Sequence, residues 1–335
     1  MPLTVGTVSR RDEARTANFP AMSALRISTP VADAIAAGRP VVALESSVIA
    51  QGLPIPANRE AVTRMKGAVE RAGATPAITA VIRGQVALGL DGDDLERFLR
   101  RDGVRKVSAR DLGVAVAQVA DGATTVAASL AVAGAAGLSV FATGGIGGVH
   151  RDAPFDESGD LAELARTPMV VVCAGAKSIL DVAATLERLE TLGVTVVGYR
   201  TDEMPGFFTR SVGLRLTARA DSPDEIARIH FASRDLGRAQ ATLVVQPPPA
   251  DVALPDDLVD GAVVTALEEA RRSDIRGAAV TPFLLAAVER ATGGRSLRTN
   301  LGLLEANARL AGEIAGVERM SNGVSAHPLH STSCR

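Results

Sequence analysis

The run MVVVCAGAKSILDVAATLERLETLGVTVVGY, Met169 to Tyr199, decides the fold class. It opens with a near-continuous apolar segment, Met169 to Cys173, of the kind buried on both faces of a parallel sheet. Beyond it Ile179, Leu180, Val182, Ala183, Leu186 and Leu189 recur at helical spacing, which predicts a helix from Ala176 that buries one face and closes at Gly193. Val194 to Tyr199 reads as a second strand, so the whole run is a strand–helix–strand unit with a right-handed crossover. The same alternation continues upstream. Pro40 to Leu44 is a strand, Pro56 opens a helix through Val62, Met65 and Val69, and Ile78–Ile82 with Val86–Leu88 forms a hairpin that makes the sheet mixed. Asp91 or Asp93 caps the short helix that follows, and Asp111 caps another. Gly122 to Thr125 is expected to start a helix reaching about Gly137, followed by a strand at Val140–Thr143. Downstream, Ser222 caps a helix through Ile226 and Ile229, Thr242 to Val245 is a strand, and three helices follow around Asp257–Arg271, Pro282–Ala291 and Leu297–Ala315. The expectation is an α/β protein: an α/β/α layered single domain over residues 25–318 with a central mixed, largely parallel sheet. Residues 1–24 are expected to be a disordered extension and 319–335 a loose tail.

Composition excludes several function classes. The 335 residues are 47% hydrophobic and 22% charged, with a formal net charge of −2, so a full core is available but no basic surface for a phosphate backbone. No Trp, one Tyr and eight Phe are too few for a platform that stacks single-stranded bases. A nucleic-acid polymer and a membrane are therefore not expected partners. No apolar run reaches the roughly 20 residues of a membrane span, and the Arg-containing N-terminus has no secretory apolar region. Cys173 and Cys334 lie too far apart in setting for a disulfide framework, which points to a reducing, cytoplasmic compartment. Cys173 itself reads as a small core hydrophobe rather than a nucleophile.

The densest cluster of small and reactive residues is Thr143-Gly-Gly-Ile-Gly-Gly-Val-His150-Arg151, directly after a strand. Successive N–H groups there suit an anion nest or, equally, a tight packing turn, and the spacing fits neither the dinucleotide fingerprint nor the P-loop. Lys177 follows a buried strand at the sheet's ligand-binding edge. Desolvation and a helix N-terminus would both favour the free amine that Schiff-base chemistry needs, unless Lys177 is merely a surface lysine with an apolar stem. Glu45 ends its own strand and is a candidate acid or base. Asp156, Glu157 and Asp160 form an acidic run that either ligates a hard cation or is simply solvated. The cysteines and histidines show no zinc spacing, and His327 and His330 belong to the tail.

Five longer words tie these signals together: Ala43-Leu-Glu-Ser-Ser-Val-Ile49, Lys106-Val-Ser108, Gly122-Ala-Thr-Thr-Val-Ala-Ala128, Phe141 through Arg151, and Val172-Cys-Ala-Gly-Ala-Lys-Ser-Ile-Leu-Asp181. In this order, from about Ile27 to Ala315, they closely resemble the pseudouridine-5′-phosphate glycosidase family, also called the pseudouridylate synthase or indigoidine synthase A-like family. The resemblance implies reversible cleavage of the C–C glycosidic bond of pseudouridine 5′-phosphate to uracil and ribose 5-phosphate through a lysine Schiff base. It implies a lyase of the carbon–oxygen class, acting in pseudouridine degradation. By the same likeness Glu45 is the proton donor and Lys177 the nucleophile. Lys106, Val126 and Ser158-Gly159-Asp160 contact substrate, Thr143, His150 and Asn300 complete the pocket, and Asp156 ligates Mn²⁺ or another divalent cation. A homotrimer is implied as well.

Two departures from the family pattern stand out. Phe155-Asp156-Glu157-Ser158-Gly159-Asp160-Leu161 has Glu and Gly where isoleucine and alanine are usual, and the loop from His150 to Asp156 is about two residues short. Ser47 stands where threonine is common. Rival readings are an aldolase-like Schiff-base lyase, a non-catalytic nucleotide-binding or regulatory protein, and a dinucleotide-dependent oxidoreductase, for which the glycine spacing is wrong.

Overall fold

Aliphatic strands build the centre of the molecule. A computed structural model describes residues 25–151, 155–275 and 279–324, with side chains as far as 317. Among these residues the strands are Arg26–Ile27 (β1), Val41–Leu44 (β2), Thr75–Ile82 (β3), Gln85–Leu88 (β4), Arg105–Val107 (β5), Gly122–Thr124 (β6), Val140–Ala142 (β7), Val149–His150 (β8), Val170–Cys173 (β9), Leu180–Asp181 (β10), Thr195–Tyr199 (β11), Arg219–Ala220 (β12) and Thr242–Val245 (β13). The helices are Thr29–Ala36 (α1), Ala57–Arg71 (α2), Gly92–Arg100 (α3), Leu112–Ala117 (α4), Val126–Ala135 (α5), Gly159–Leu164 (α6), Val182–Thr191 (α7), Pro223–Asp235 (α8), Asp256–Arg272 (α9), Val280–Ala291 (α10) and Arg295–Val324 (α11).

The main sheet runs β1-β4-β3-β2-β7-β9-β13-β11-β12, with β6 on β3 and β5 on β6. β3 pairs antiparallel with β4 and β6, and the other pairs of this sheet are parallel, so it is mixed and largely parallel. β2, β9 and β13 are buried at every residue, as expected for strands covered on both faces. α11 lies along β2, β7 and β9 with α2 and α8 beside it, while α1 and α5 pack on β2 and β3. The α/β/α expectation holds, and of the three late helices α11 covers the sheet while α9 and α10 pack on one another.

Three local readings are corrected. The helix expected from Gly122 begins at Val126. Gly122–Thr124 is strand because it bridges β3 and β5, and Thr125 is the N-cap. The helix expected from Ala176 begins only at Val182, because Ala174 to Lys177 bonds to the glycine loop and β10 pairs antiparallel with β8. Asp181 then caps α7 by accepting from Ala184 N at 2.9 Å. β9 and β11 are parallel but not adjacent, since β13 lies between them. At the chain's late end α11 continues to Val324, past the Ala315 where apolar periodicity suggested it would stop. Residues 319–324 of the segment expected to be a loose tail are therefore helical, while the extension 1–24 and residues 325–335 lie outside the described residues.

Candidate active site

Three neighbouring strands deliver their next residues to one edge. β2 ends beside Glu45, β7 beside Thr143, and β9 leads through Ala174 and Gly175 to Lys177. Carboxyl ends of strands are where α/β sheets bind ligands. Glu45 is 5% exposed, and its carboxylate accepts hydrogen bonds from the Thr143 hydroxyl on one oxygen and the Ser47 hydroxyl on the other. The carboxylate is thereby fixed in direction, which proton transfer requires.

Lys177 is held by backbone rather than by a helix dipole. Residues 144–146 extend β7 alongside the end of β9: Ala174 N donates to Gly144 O at 2.9 Å, Ile146 N to Gly175 O at 3.1 Å, and Lys177 N to Ile146 O at 3.1 Å. Two glycines make this approach possible. A Cβ on Gly145 would stand 2.5 Å from the Phe207 ring, and Gly175 has φ +90° with a Cβ position 2.5 Å from Pro205 O. Cys173 supports the same turn, its Sγ accepting from Gly175 N at 3.4 Å. Burial above all pushes the Cys173 thiol up to about 12, so it stays protonated and inert, in line with a core role.

Lys106, on β5, presents an exposed side chain whose ammonium is nonetheless hemmed in by protein. Desolvation first, then the Lys177 charge, lowers its pKa from 10.5, while the Asp160 and Glu45 carboxylates oppose that shift. Those influences put Lys106, Lys177, Glu45 and Asp160 within one electrostatic site. Asp160 is buried, and its two oxygens accept from Ala127 N at 2.9 Å and Gly147 N at 2.8 Å. It therefore ties the start of α5, where buried Val126 is the first residue, to the glycine loop. Ser158 caps α6 through Asp160 N at 3.2 Å, and Gly159 is the helix's first residue.

Asp156 lies 60% exposed at the rim, its Oδ2 3.4 Å from His150 Nδ1. Glu157 is engaged elsewhere, accepting from Arg188 Nε at 2.9 Å. Among the described residues no group of three His, Cys, Asp or Glu side chains stands close enough to enclose a metal. One carboxylate and one imidazole suit a hard cation that keeps most of its waters, not an all-protein cage. Residues 152–154 of the shortened loop lie outside the described residues. Asn300, on α11 and 8% exposed, flanks the glycine loop, with its Oδ1 3.5 Å from the Cβ position of Gly144.

Sequence reasoning missed the supports beneath these groups. Asn307 Nδ2 donates to Thr143 O at 2.8 Å and Gly144 O at 3.3 Å, and its Oδ1 accepts from Gln246 Nε2 at 2.8 Å. An asparagine amid the apolar stripe of Leu303, Leu304, Ala308 and Ala311 was the available signal. Buried hydroxyls of Ser46, Thr79, Thr124 and Ser129 interlink below Glu45. A cavity of about 690 Å³ opens beside the Lys177 turn, between the start of α7, α9 and residues 206–214. It contains Ser178, Asp181 and Asp260 but none of the predicted site residues, so convergent side chains rather than hollow size identify the site.

Fold and site together define an α/β protein with a carboxylate after β2 and a lysine beyond β9, on strands separated by β7 alone, on an architecture already seen in solved structures. The prealnumycin C-glycosynthase AlnA, solved in complex with ribulose 5-phosphate, aligns with a TM-score of 0.83 at 39% identity over 89% of this chain and 98% of that one. The indigoidine synthase A-like protein of Thermotoga maritima aligns with a TM-score of 0.81 at 35% identity over 88% and 97%. The chain belongs to the indigoidine synthase A-like family, whose model matches residues 30–317. A pseudouridine-5′-phosphate glycosidase of Gemmatimonas aurantiaca is 67% identical over 290 residues, 87% of this chain and 95% of that protein. The protein of the same name from Herpetosiphon aurantiacus is 50% identical over 296 residues, 88% and 98%.

Proposed function

We propose that this protein is an enzyme that reversibly cleaves the C–C glycosidic bond of pseudouridine 5′-phosphate, giving uracil and ribose 5-phosphate. The observation that carries the reading is the pairing of an oriented, buried Glu45 with Lys177 at one sheet edge, on strands separated by β7 alone. A carbon leaving group cannot depart by protonation of a bridging heteroatom, so the two-carboxylate scheme of ordinary glycosidases is insufficient. A lysine supplies the alternative. The C1′–O4′ bond opens as O4′ takes a proton, and Lys177 Nζ bonds to C1′. The C1′–C5 bond then breaks, its electron pair passes to the uracil ring, and C5 receives a proton relayed by Glu45. Water hydrolyses the Lys177–C1′ imine and releases ribose 5-phosphate.

Lys106 in this reading steadies the phosphate or sugar, the glycine-loop amides line the sugar phosphate, and Val126, Ser158, Gly159 and Asp160 shape the wall. Asp156, with His150 behind it, would hold Mn²⁺ or a similar ion, which supplies positive charge to phosphate and water oxygens. The physiological setting we infer is pseudouridine degradation by a cytoplasmic homotrimer of the lyase class. Among the described residues no helix is long and apolar enough to cross a membrane.

The test is uracil release from pseudouridine 5′-phosphate, followed with and without chelator. Borohydride should trap a ribose-phosphate adduct that mass mapping puts on Lys177, and Lys177→Ala should lose several orders of magnitude in kcat. An adduct on Lys106, or normal turnover by Lys177→Ala, overturns the mechanism. Full activity after chelation overturns the metal's part alone.

A further inference from the structure

Asn307 stands on α11, 1% exposed, among the leucines and alanines that pack on the sheet. A carboxamide so deep must find partners for two N–H bonds and an acceptor oxygen, and here all three are used. Nδ2 donates to the carbonyl oxygens of Thr143 at 2.8 Å and Gly144 at 3.3 Å, while Oδ1 accepts from Gln246 Nε2 at 2.8 Å. Backbone carbonyls can only accept, so the amide has one possible orientation, and Gln246 braces it there. Both of its neighbours are themselves fixed. Gln246 N donates to Cys173 O and Thr143 N to Val172 O, each at 3.0 Å, so β13 and β7 are prolonged past their ends along the two sides of β9. The two carboxamides link those prolonged ends across the strand between them.

Thr143 leads directly into Gly144 and Gly145, residues whose backbone resists turning least. Gly144 cannot carry an anchor of its own, because its Cβ position lies 3.2 and 3.3 Å from methyl carbons of Leu304 and Leu303. The restraint has to come from α11. Without it the peptide units on either side of Gly144 could rotate, and the Thr143 hydroxyl that donates to Glu45 would lose its aim. Gly144 O also accepts from Ala174 N at 2.9 Å, so the same amide steadies the segment that carries Lys177. We infer that Asn307 is a positioning residue: it clamps the carbonyls at the head of the glycine loop and, through Thr143, fixes the Glu45 carboxylate. Gln246 is its brace. The inference deepens the function proposed above and rests on it for the reaction that the clamp serves.

The experiment uses the full-length protein with Asn307→Leu, which keeps the volume and removes the amide, and Gln246→Met, which leaves Asn307 but removes its brace. For cleavage of pseudouridine 5′-phosphate, kcat should fall about 100-fold in the first and about 10-fold in the second, the scale of a small misplacement of reacting groups. KM should stay within about threefold in both, because Asp160 keeps its bonds to Ala127 N and Gly147 N and Lys106 stays on β5. A double variant supplies the readout that a merely structural role would not move. Adding Asn307→Leu to Thr143→Val should slow turnover by about threefold or less instead of the full 100-fold or so, since residues acting in one chain are not additive. Amide exchange followed by mass spectrometry should rise about 10-fold or more across 143–147 and 174–177, which reports the clamp without the reaction. A rise in KM as large as the fall in kcat, a multiplicative loss in the double variant, or unchanged exchange would overturn the inference. Should Asn307→Leu fail to fold, Gln246→Met carries the same three readouts. If the wild type releases no uracil while Asn307→Leu still frees these amides, the clamp stands and the proposed reaction falls.

Discussion

Lys106 shows how a residue's role can be separated from its neighbour's. Burial and the nearby Lys177 charge make its ammonium easier to deprotonate than an ordinary lysine, despite opposing pull from Asp160 and Glu45. If it holds substrate phosphate as a cation, that hold should be lost as pH rises, from a lower pH than the 10.5 of an ordinary lysine. KM for pseudouridine 5′-phosphate should therefore climb with alkalinity in the wild type and stay flat to higher pH in Lys106→Arg, because a guanidinium remains charged. Parallel KM profiles in the two proteins would remove Lys106 from phosphate binding. Glu45 and Lys177 were legible in the sequence because each ends an apolar run, and strand ends are where chemistry collects. Asn307 and Gln246 were not, since an amide's partners are settled by long-range packing that local spacing does not encode.

At the scale of elements, the turn between β9 and β10 matters more than any helix. The sequence suggested a helix from Ala176 whose N-terminus would favour the free amine of Lys177, but α7 starts six residues later, at Val182. The lysine is instead gripped by main-chain bonds to the glycine loop, and this grip depends on Gly175. Gly175→Ala combines φ +90° with a 2.5 Å approach to Pro205 O, a backbone atom that cannot rotate away. We expect kcat to fall about 100-fold or more as Lys177 is displaced, with far-UV circular dichroism nearly unchanged. Wild-type turnover in this variant would show that the turn tolerates movement. The β-hairpin at Thr75–Leu88 and the long helices were readable because their periodicity is strong. β6 was misread because Gly-Ala-Thr-Thr carries little period, and only its neighbours β3 and β5 make it a strand.

For the whole molecule, stability carries an acid-sensitive component. His230 on α8 is buried against Thr242 on β13, Nδ1 to Oγ1 at 3.1 Å, and desolvation, aided by Arg234, lowers its pKa to about 4. Folded His230 thus stays neutral until about pH 4, whereas the unfolded chain takes its proton near 6.5. Stability from this residue is intact above about pH 6.5 and drains away as pH falls toward 4, by about 2 kcal/mol at pH 5. Thermal melts at pH 7 and pH 5 should reveal the loss, and His230→Gln should show a smaller difference between them. Identical pH dependence in both proteins would reject it. Removing residues 1–24 should leave turnover and assembly unchanged, because the described elements begin at Arg26 and β1 already pairs with β4. Light scattering should report a trimer for both forms, and a monomer would refute the expected assembly.

Glu45, Thr143 and the root of Lys177 hang from three successive strands, β2, β7 and β9. Their lateral separation is consequently measured in units of about 4.8 Å, the gap between hydrogen-bonded chains. On the function proposed above, the catalytic layout is ruled by the backbone hydrogen bond between strands, a spacing that side-chain substitution cannot edit. Peripheral helices and rim loops can then drift over evolutionary time, or be redesigned in the laboratory to admit other rings, without detuning the distance between acid and amine.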